Sequence, residues 1–196
     1  MAEQSPDQFE MRRLESLSNT IFGVAMTLLA YDLPRATEFG HPPDWAELYH
    51  VYAARLIALV LSFVIAGVFW VSHHRRLARQ PYAGRGVVFL DLGFLLLIIL
   101  LPVTNGLYGN YGGSSTVAVL YGLHLTAIAA VNAWLWWIAT RGQPSRPELA
   151  GALFPLLMLL PGTAVATVAP QYAQYLWLLA FGGVLVHRFG RDRTAA

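Results

Sequence analysis

The run Gly86-Val87-Val88-Phe89-Leu90-Asp91-Leu92-Gly93-Phe94-Leu95-Leu96-Leu97-Ile98-Ile99-Leu100-Leu101-Pro102-Val103-Thr104-Asn105 carries a single charge in twenty residues. About twenty mostly apolar residues make a helix long enough to cross the hydrocarbon core of a bilayer. The run does not alternate as a barrel strand would, and it has no polar face of the kind a surface helix needs. Working outward, comparable runs fall at about 14–31, 54–72, 115–140, 149–169 and 172–189. The stretch 86–105 is thus the third of six expected spans. A segment over 1–13, whose first ten residues are polar and expected to fray, precedes them, and a short tail over 190–196 follows. The expected fold is an all-α membrane protein with six transmembrane helices.

Composition agrees. The chain has 196 residues, of which 56% are hydrophobic and only 12% charged, with mean hydropathy +0.49. Soluble domains carry about twice that share of charge. The absence of cysteine excludes disulfides, thiolate metal sites and cysteine nucleophiles. All thirteen basic residues are arginine, so lysine Schiff-base chemistry is excluded as well. A net charge of +2 gives no reason to expect nucleic acid as a partner.

The arginines are sided. Arg12 and Arg13 precede the first span, and Arg75, Arg76, Arg79 and Arg85 separate the second from the third. Arg141 and Arg146 follow the fourth, and Arg188, Arg191 and Arg193 follow or end the sixth. The intervening loops are poor in basic residues: 32–53 holds Arg35 against Asp32, Glu38, Asp44 and Glu47, and 106–114 holds no charge. Arg55 is the one further basic group on that side. The bias predicts a multi-pass protein of the cell membrane with both termini cytoplasmic. A cleaved signal is not expected, because the first span ends in Tyr31-Asp32-Leu33-Pro34 rather than in small residues.

The first span is unlike the rest. At 100° per residue, Leu17, Thr20, Val24, Thr27, Leu28 and Tyr31 share about a third of its circumference. Ser16, Thr20, Gly23 and Thr27 form an adjoining small and polar stripe. Such a surface suits a protein or water neighbour, through close helix packing or as the lining of a pore.

The stretch Arg13-Leu14-Glu15-Ser16-Leu17-Ser18-Asn19-Thr20-Ile21-Phe22-Gly23-Val24-Ala25-Met26-Thr27-Leu28-Leu29 resembles the signature of the transmembrane-protein-175 potassium channels in their bacterial form. Phe69-Trp70-Val71-Ser72-His73-His74-Arg75 resembles the end of that family's second helix, and 92–104 resembles its third. The resemblance implies a homotetramer with the first helix at a central axis and no Thr-Val-Gly-Tyr-Gly filter. The string Asn105-Gly106-Leu107-Tyr108-Gly109-Asn110-Tyr111-Gly112-Gly113 reads instead as an external loop. The resemblance places the narrow apolar position on Val24 and the threonine tied to ion preference on Thr27. It places further layers on Leu28 and Tyr31, with Thr20 on the same face. Tyr31 departs from the aliphatic residue expected there. No cofactor is implied; potassium is the permeant ion.

The resemblance also implies a polar network joining the inner ends of the first two helices, built from Arg13, Ser18, Asn19, Trp70, His73 and His74. Asn19 stands where the family has Asp, and Glu15 is a substitute partner. The histidines could equally be interfacial residues reaching out of the membrane. Asp91, an acid inside an apolar run, reads as one half of an ion pair with Arg85 or the Arg75-Arg76 pair, or as an ion or proton relay. His124 reads as hydrogen-bonded packing. The leading expectation is passive potassium conduction. The alternative is a secondary transporter coupled to protons through Asp91 and His124, although no inverted repeat is evident. A membrane enzyme is disfavoured by the lack of any zinc-protease, serine-elbow or phosphate-loop motif.

Overall fold

The computed structural model describes residues 8–35, 39–77, 82–140 and 146–178. In chain order these form β1 (Gln8–Glu10), α1 (Met11–Leu28), α2 (Trp45–Leu77), β2 (Tyr82–Gly84), α3 (Arg85–Tyr111), α4 (Ser115–Ala139) and α5 (Arg146–Ala166). A further helical segment, α6, covers 170–178. Expected span six lies partly, and the tail over 190–196 wholly, outside the described residues.

Among the described residues, α2, α3 and α4 are long and apolar enough to cross a membrane, and Ala150–Ala166 is a shorter apolar helix. α2 has 33 residues, about 50 Å of helix, and so outstrips a hydrocarbon core of about 30 Å. α1 does not reach that apolar standard. Its open face mixes the hydroxyls of Thr20 and Thr27 with Leu17, Val24 and Leu28, while Leu14, Phe22 and Ala25 point into the fold.

The expectations need three corrections. The first ten residues are not all frayed: 8–10 pair antiparallel with 82–84, with Phe9 opposite Ala83. The fold is therefore helical apart from one two-stranded ribbon. The glycine-rich string after Asn105 is helix rather than loop, because α3 continues to Tyr111. Its last turn is held from the side, since Asn110 donates to the Gly106 carbonyl at 2.8 Å and accepts from Arg55 Nη2 at 2.8 Å. Finally, α1 stops at Leu28, and residues 29–33 continue in tight turns (Tyr31 N to Leu28 O, 2.9 Å; Leu33 N to Ala30 O, 3.2 Å).

The core runs along α3, with α1 and α2 on one side and α4 and α5 beyond. Phe22, Leu61, Ile65, Phe69, Phe94, Leu95, Ile98, Leu101, Tyr121, Leu125 and Ile128 are all but fully buried in it. At one end Tyr108 stacks on Tyr121 with centroids 4.6 Å apart, and Trp177 of α6 meets both edge-on. Two glycines make room for that indole. A Cβ at Gly162 would lie 2.2 Å from Trp177 Nε1, and one at Gly122 would lie 2.8 Å from its ring and 2.4 Å from Thr163 Oγ1.

Candidate functional site

α1 has two faces set by helical periodicity. Leu14, Ser18, Phe22, Ala25 and Leu29 are buried against α2 and α3. Leu17, Thr20, Val24, Thr27, Leu28 and Tyr31 are exposed, with Val24 at 53%. The same six residues share a face in the sequence pattern, and none of the described residues buries them. Thr20 donates to the Ser16 carbonyl at 3.0 Å and Thr27 to the Val24 carbonyl at 2.8 Å. A hydroxyl whose hydrogen is held by its own helix presents its oxygen only as an acceptor, which is the polarity a cation requires. Tyr31 lies beyond the regular helix, and the Arg35 guanidinium sits 5.7 Å from its ring centroid. That contact fits a cation–π anchor better than a further layer in line with Val24 and Leu28.

The polar groups that the resemblance joins into one network divide into separate sets. Trp70 Nε1 donates to Asn19 Oδ1 at 2.9 Å. His74 Nδ1 lies 3.1 Å from Glu15 Oε1, so Glu15 supplies an anionic partner on α1 where Asn19 has none. Both pairs are largely exposed. Ser18 turns its hydroxyl back to the Leu14 carbonyl at 2.7 Å rather than across to α2. Arg13 is exposed at the start of α1.

His73 makes its hydrogen bond to α3 rather than α1. Its Nε2 donates to Asp91 Oδ1 at 2.9 Å, and Arg76 Nη2 donates to the same oxygen. All three side chains are nearly inaccessible. A buried carboxylate needs this compensation, because an isolated ion in a low-dielectric interior is strongly unfavourable. Arg76 Nη1 and Asp91 Oδ2 have no partner among the described residues. The His73 ring meets α1 at Phe22, with centroids 6.0 Å apart, and stacks on Phe94 of α3 at 5.3 Å. The sequence offered Arg85 or the Arg75-Arg76 pair for Asp91. The structure selects Arg76 and adds His73, which the sequence reading had assigned to the other interface.

Two more polar clusters brace α3. Ser62 Oγ donates to Asn105 Oδ1 at 2.9 Å and lies 2.6 Å from Tyr121 Oη, while Asn105 Nδ2 reaches the Leu29 carbonyl at 3.4 Å. His124 sits 2.8 Å from Thr104 Oγ1 and 3.0 Å from the Leu97 carbonyl. Leu97 is six residues, about 9 Å, along α3 from Asp91. Asp91 is already compensated, and His124 bonds at a different level of the bundle. The two do not form one relay. Among the described residues no group of three His, Cys, Asp or Glu gathers as a metal site would require.

The described residues thus define a multi-pass helical membrane protein whose first helix leaves a hydroxyl-bearing face exposed. Residues 13–102 match the family model described as the endosomal/lysosomal potassium channel TMEM175. A potassium channel of Streptomyces collinus is 30% identical over 141 residues, which cover 67% of this chain and 66% of that one. A potassium channel of a Chryseobacterium species is 21% identical over 141 residues, covering 72% and 71%. Among solved structures, the potassium-selective TMEM175 homologue of Chamaesiphon minutus superposes with a TM-score of 0.76 at 22% identity. That match covers 89% of this chain and 96% of the homologue. The chain belongs to the TMEM175 potassium-channel family, whose members are ion channels and not enzymes.

Proposed function

We propose that the chain is a passive potassium channel of the cell membrane, formed by four copies around α1, with both termini cytoplasmic. The carrying observation is the exposed face of α1, on which Thr20 and Thr27 turn their hydroxyl oxygens outward beside Val24. In this reading four Val24 side chains form a dry constriction that stops ions by excluding water. Four Thr27 hydroxyls one turn away replace part of the ion's hydration shell. Leu28 adds an apolar layer beyond them, and Thr20 and Leu17 widen the passage on the cytoplasmic side. The buried face Leu14, Ser18, Phe22 and Ala25 sets the rotation of α1 about its own axis, and the pairs Asn19–Trp70 and Glu15–His74 add to it.

The test is potassium efflux from liposomes containing the purified protein, compared with sodium and with a large organic cation. Potassium should leave fastest, and reversal potentials should shift toward sodium in Thr27→Val. Equal leakage of all three ions would reject the selectivity. A monomeric mass for the detergent-solubilised protein would reject the assembly.

A further inference from the structure

The β1–β2 ribbon has no part in the function proposed above. It is joined to two helices without linkers: β1 ends at Glu10 and α1 starts at Met11, while β2 ends at Gly84 and α3 starts at Arg85. An isolated two-stranded ribbon is marginally stable at best, so its pairing is coupled to the placement of the helices it joins. One turn into α1, Leu14 packs with Leu77, Val87 and Val88 in a small apolar cluster that meets the main core through Val87. The opposite end of α1 is also held. Asn105 reaches the Leu29 carbonyl, and the Asp32 carboxylate lies so close over Gly106 that a Cβ there would be 1.9 Å from Oδ2. Between these ends Phe22 and Ala25 seat α1 in the main core, and its links to α2 include the exposed pairs Asn19–Trp70 and Glu15–His74; exposed pairs contribute little.

We propose that the ribbon is a latch on the pore helix: pairing of 8–10 with 82–84 holds the inner end of α1 and so keeps the ring at Val24 narrow. This inference rests on the reading of α1 as the pore-lining helix. With the outer end fixed, α1 is a lever. Val24 lies about 7.5 Å from Leu29 along the axis, and Glu10 lies about 28 Å away. A rigid rod pivoting at Leu29 passes at most about a quarter of a displacement at the ribbon to Val24, with Phe22 and Ala25 shifting in the core, so parting the strands by about 4 Å moves each valine by up to about 1 Å. A constriction that works by dewetting responds to changes of that size.

The chain has no cysteine, so Phe9→Cys with Ala83→Cys introduces a single pair of thiols. Facing residues of an antiparallel pair have Cα atoms about 4.5–5.5 Å apart, within disulfide range. Potassium efflux from liposomes is measured with the full-length double variant oxidised, and again after reduction. Efflux should be at least about fivefold lower when oxidised, the ratio expected if the cross-link adds on the order of 1 kcal/mol to the closed arrangement. Each single variant should ignore the oxidant. The triple variant Gln8→Gly, Phe9→Gly, Glu10→Gly should exceed the unmodified chain in efflux; if it fails to fold, the disulfide comparison alone decides. Equal efflux before and after reduction, with the bond verified by mass, overturns the latch, as does failure of the thiols to join. Val24→Asn is measured alongside. A raised efflux there, with no redox effect in the double variant, rejects the latch and leaves the pore reading standing. No change in either rejects the pore reading itself.

Discussion

α1 and α4 are both membrane-associated helices of this chain, and their open faces differ: α1 sets Thr20 and Thr27 among Leu17, Val24 and Leu28, whereas α4 shows mainly Leu and Trp. The open side of α4 is Leu120, Leu123, Trp134 and Trp137, a surface that lipid satisfies. Its packed side is Ala118, Tyr121, Gly122, Leu125, Ile128, Ala129, Asn132 and Leu135. α1 buries its large apolar residues at Phe22 and Leu29 and leaves Thr20, Val24 and Thr27 open. The contrast teaches where each helix carries its constraint. In α4 and its neighbours α2, α3 and α5 the buried side chains fix stability. In α1 the exposed ones have no stability role in the single chain, and their composition calls for a function.

Substitutions can break that division. The largest expected effect is in the body: Asp91→Ala leaves Arg76 buried without its anion and should destabilise by about 3–5 kcal/mol, read as a loss of folded protein in detergent melts. Replacing both partners, Asp91→Leu with Arg76→Met, should recover most of that loss; if it does not, the pair has a role beyond mutual compensation. Gly162→Ala forces a methyl into the Trp177 indole and should cost about 1–3 kcal/mol in the same assay. On α1 the sign of the contrast reverses. Val24→Asn should leave the melting temperature within the range of about 0.5 kcal/mol typical of surface changes. It should raise potassium efflux about tenfold, equivalent to about 1.4 kcal/mol off the barrier. A large stability loss with no change in efflux would show that Val24 is a packing residue after all. The smallest effect is expected for Asn19→Ala, which removes one exposed hydrogen bond to Trp70 and at most about 1 kcal/mol. A shift in efflux larger than that for Val24→Asn would move the control of conduction from the ring to the α1–α2 contact.

Much of this was readable from the residues. The apolar runs set the helical fold, and the 100° pattern of Leu17, Thr20, Val24 and Thr27 put those side chains on one face of α1 before any coordinates. What escaped had physical reasons. Three-residue strands have no periodicity to detect, so the ribbon was invisible. The glycines after Asn105 look like loop residues locally, but Arg55 from another helix holds Asn110 and extends α3 to Tyr111. His73 and His74 are neighbours in sequence and about 100° apart on the helix. Only the packing of α2 decides that His73 meets Asp91 of α3 while His74 meets Glu15 of α1.

The buried Arg76–Asp91 contact also constrains how the chain is made. Arg76 emerges from the ribosome fifteen residues before its partner. An unpaired Asp or Arg meets an insertion penalty of about 2.5–3.5 kcal/mol at a helix centre and a smaller one near a helix end, where Arg76 and Asp91 lie. α2 and α3 therefore have reason to leave the translocon together, as a hairpin already neutralised at its turn, rather than one after the other.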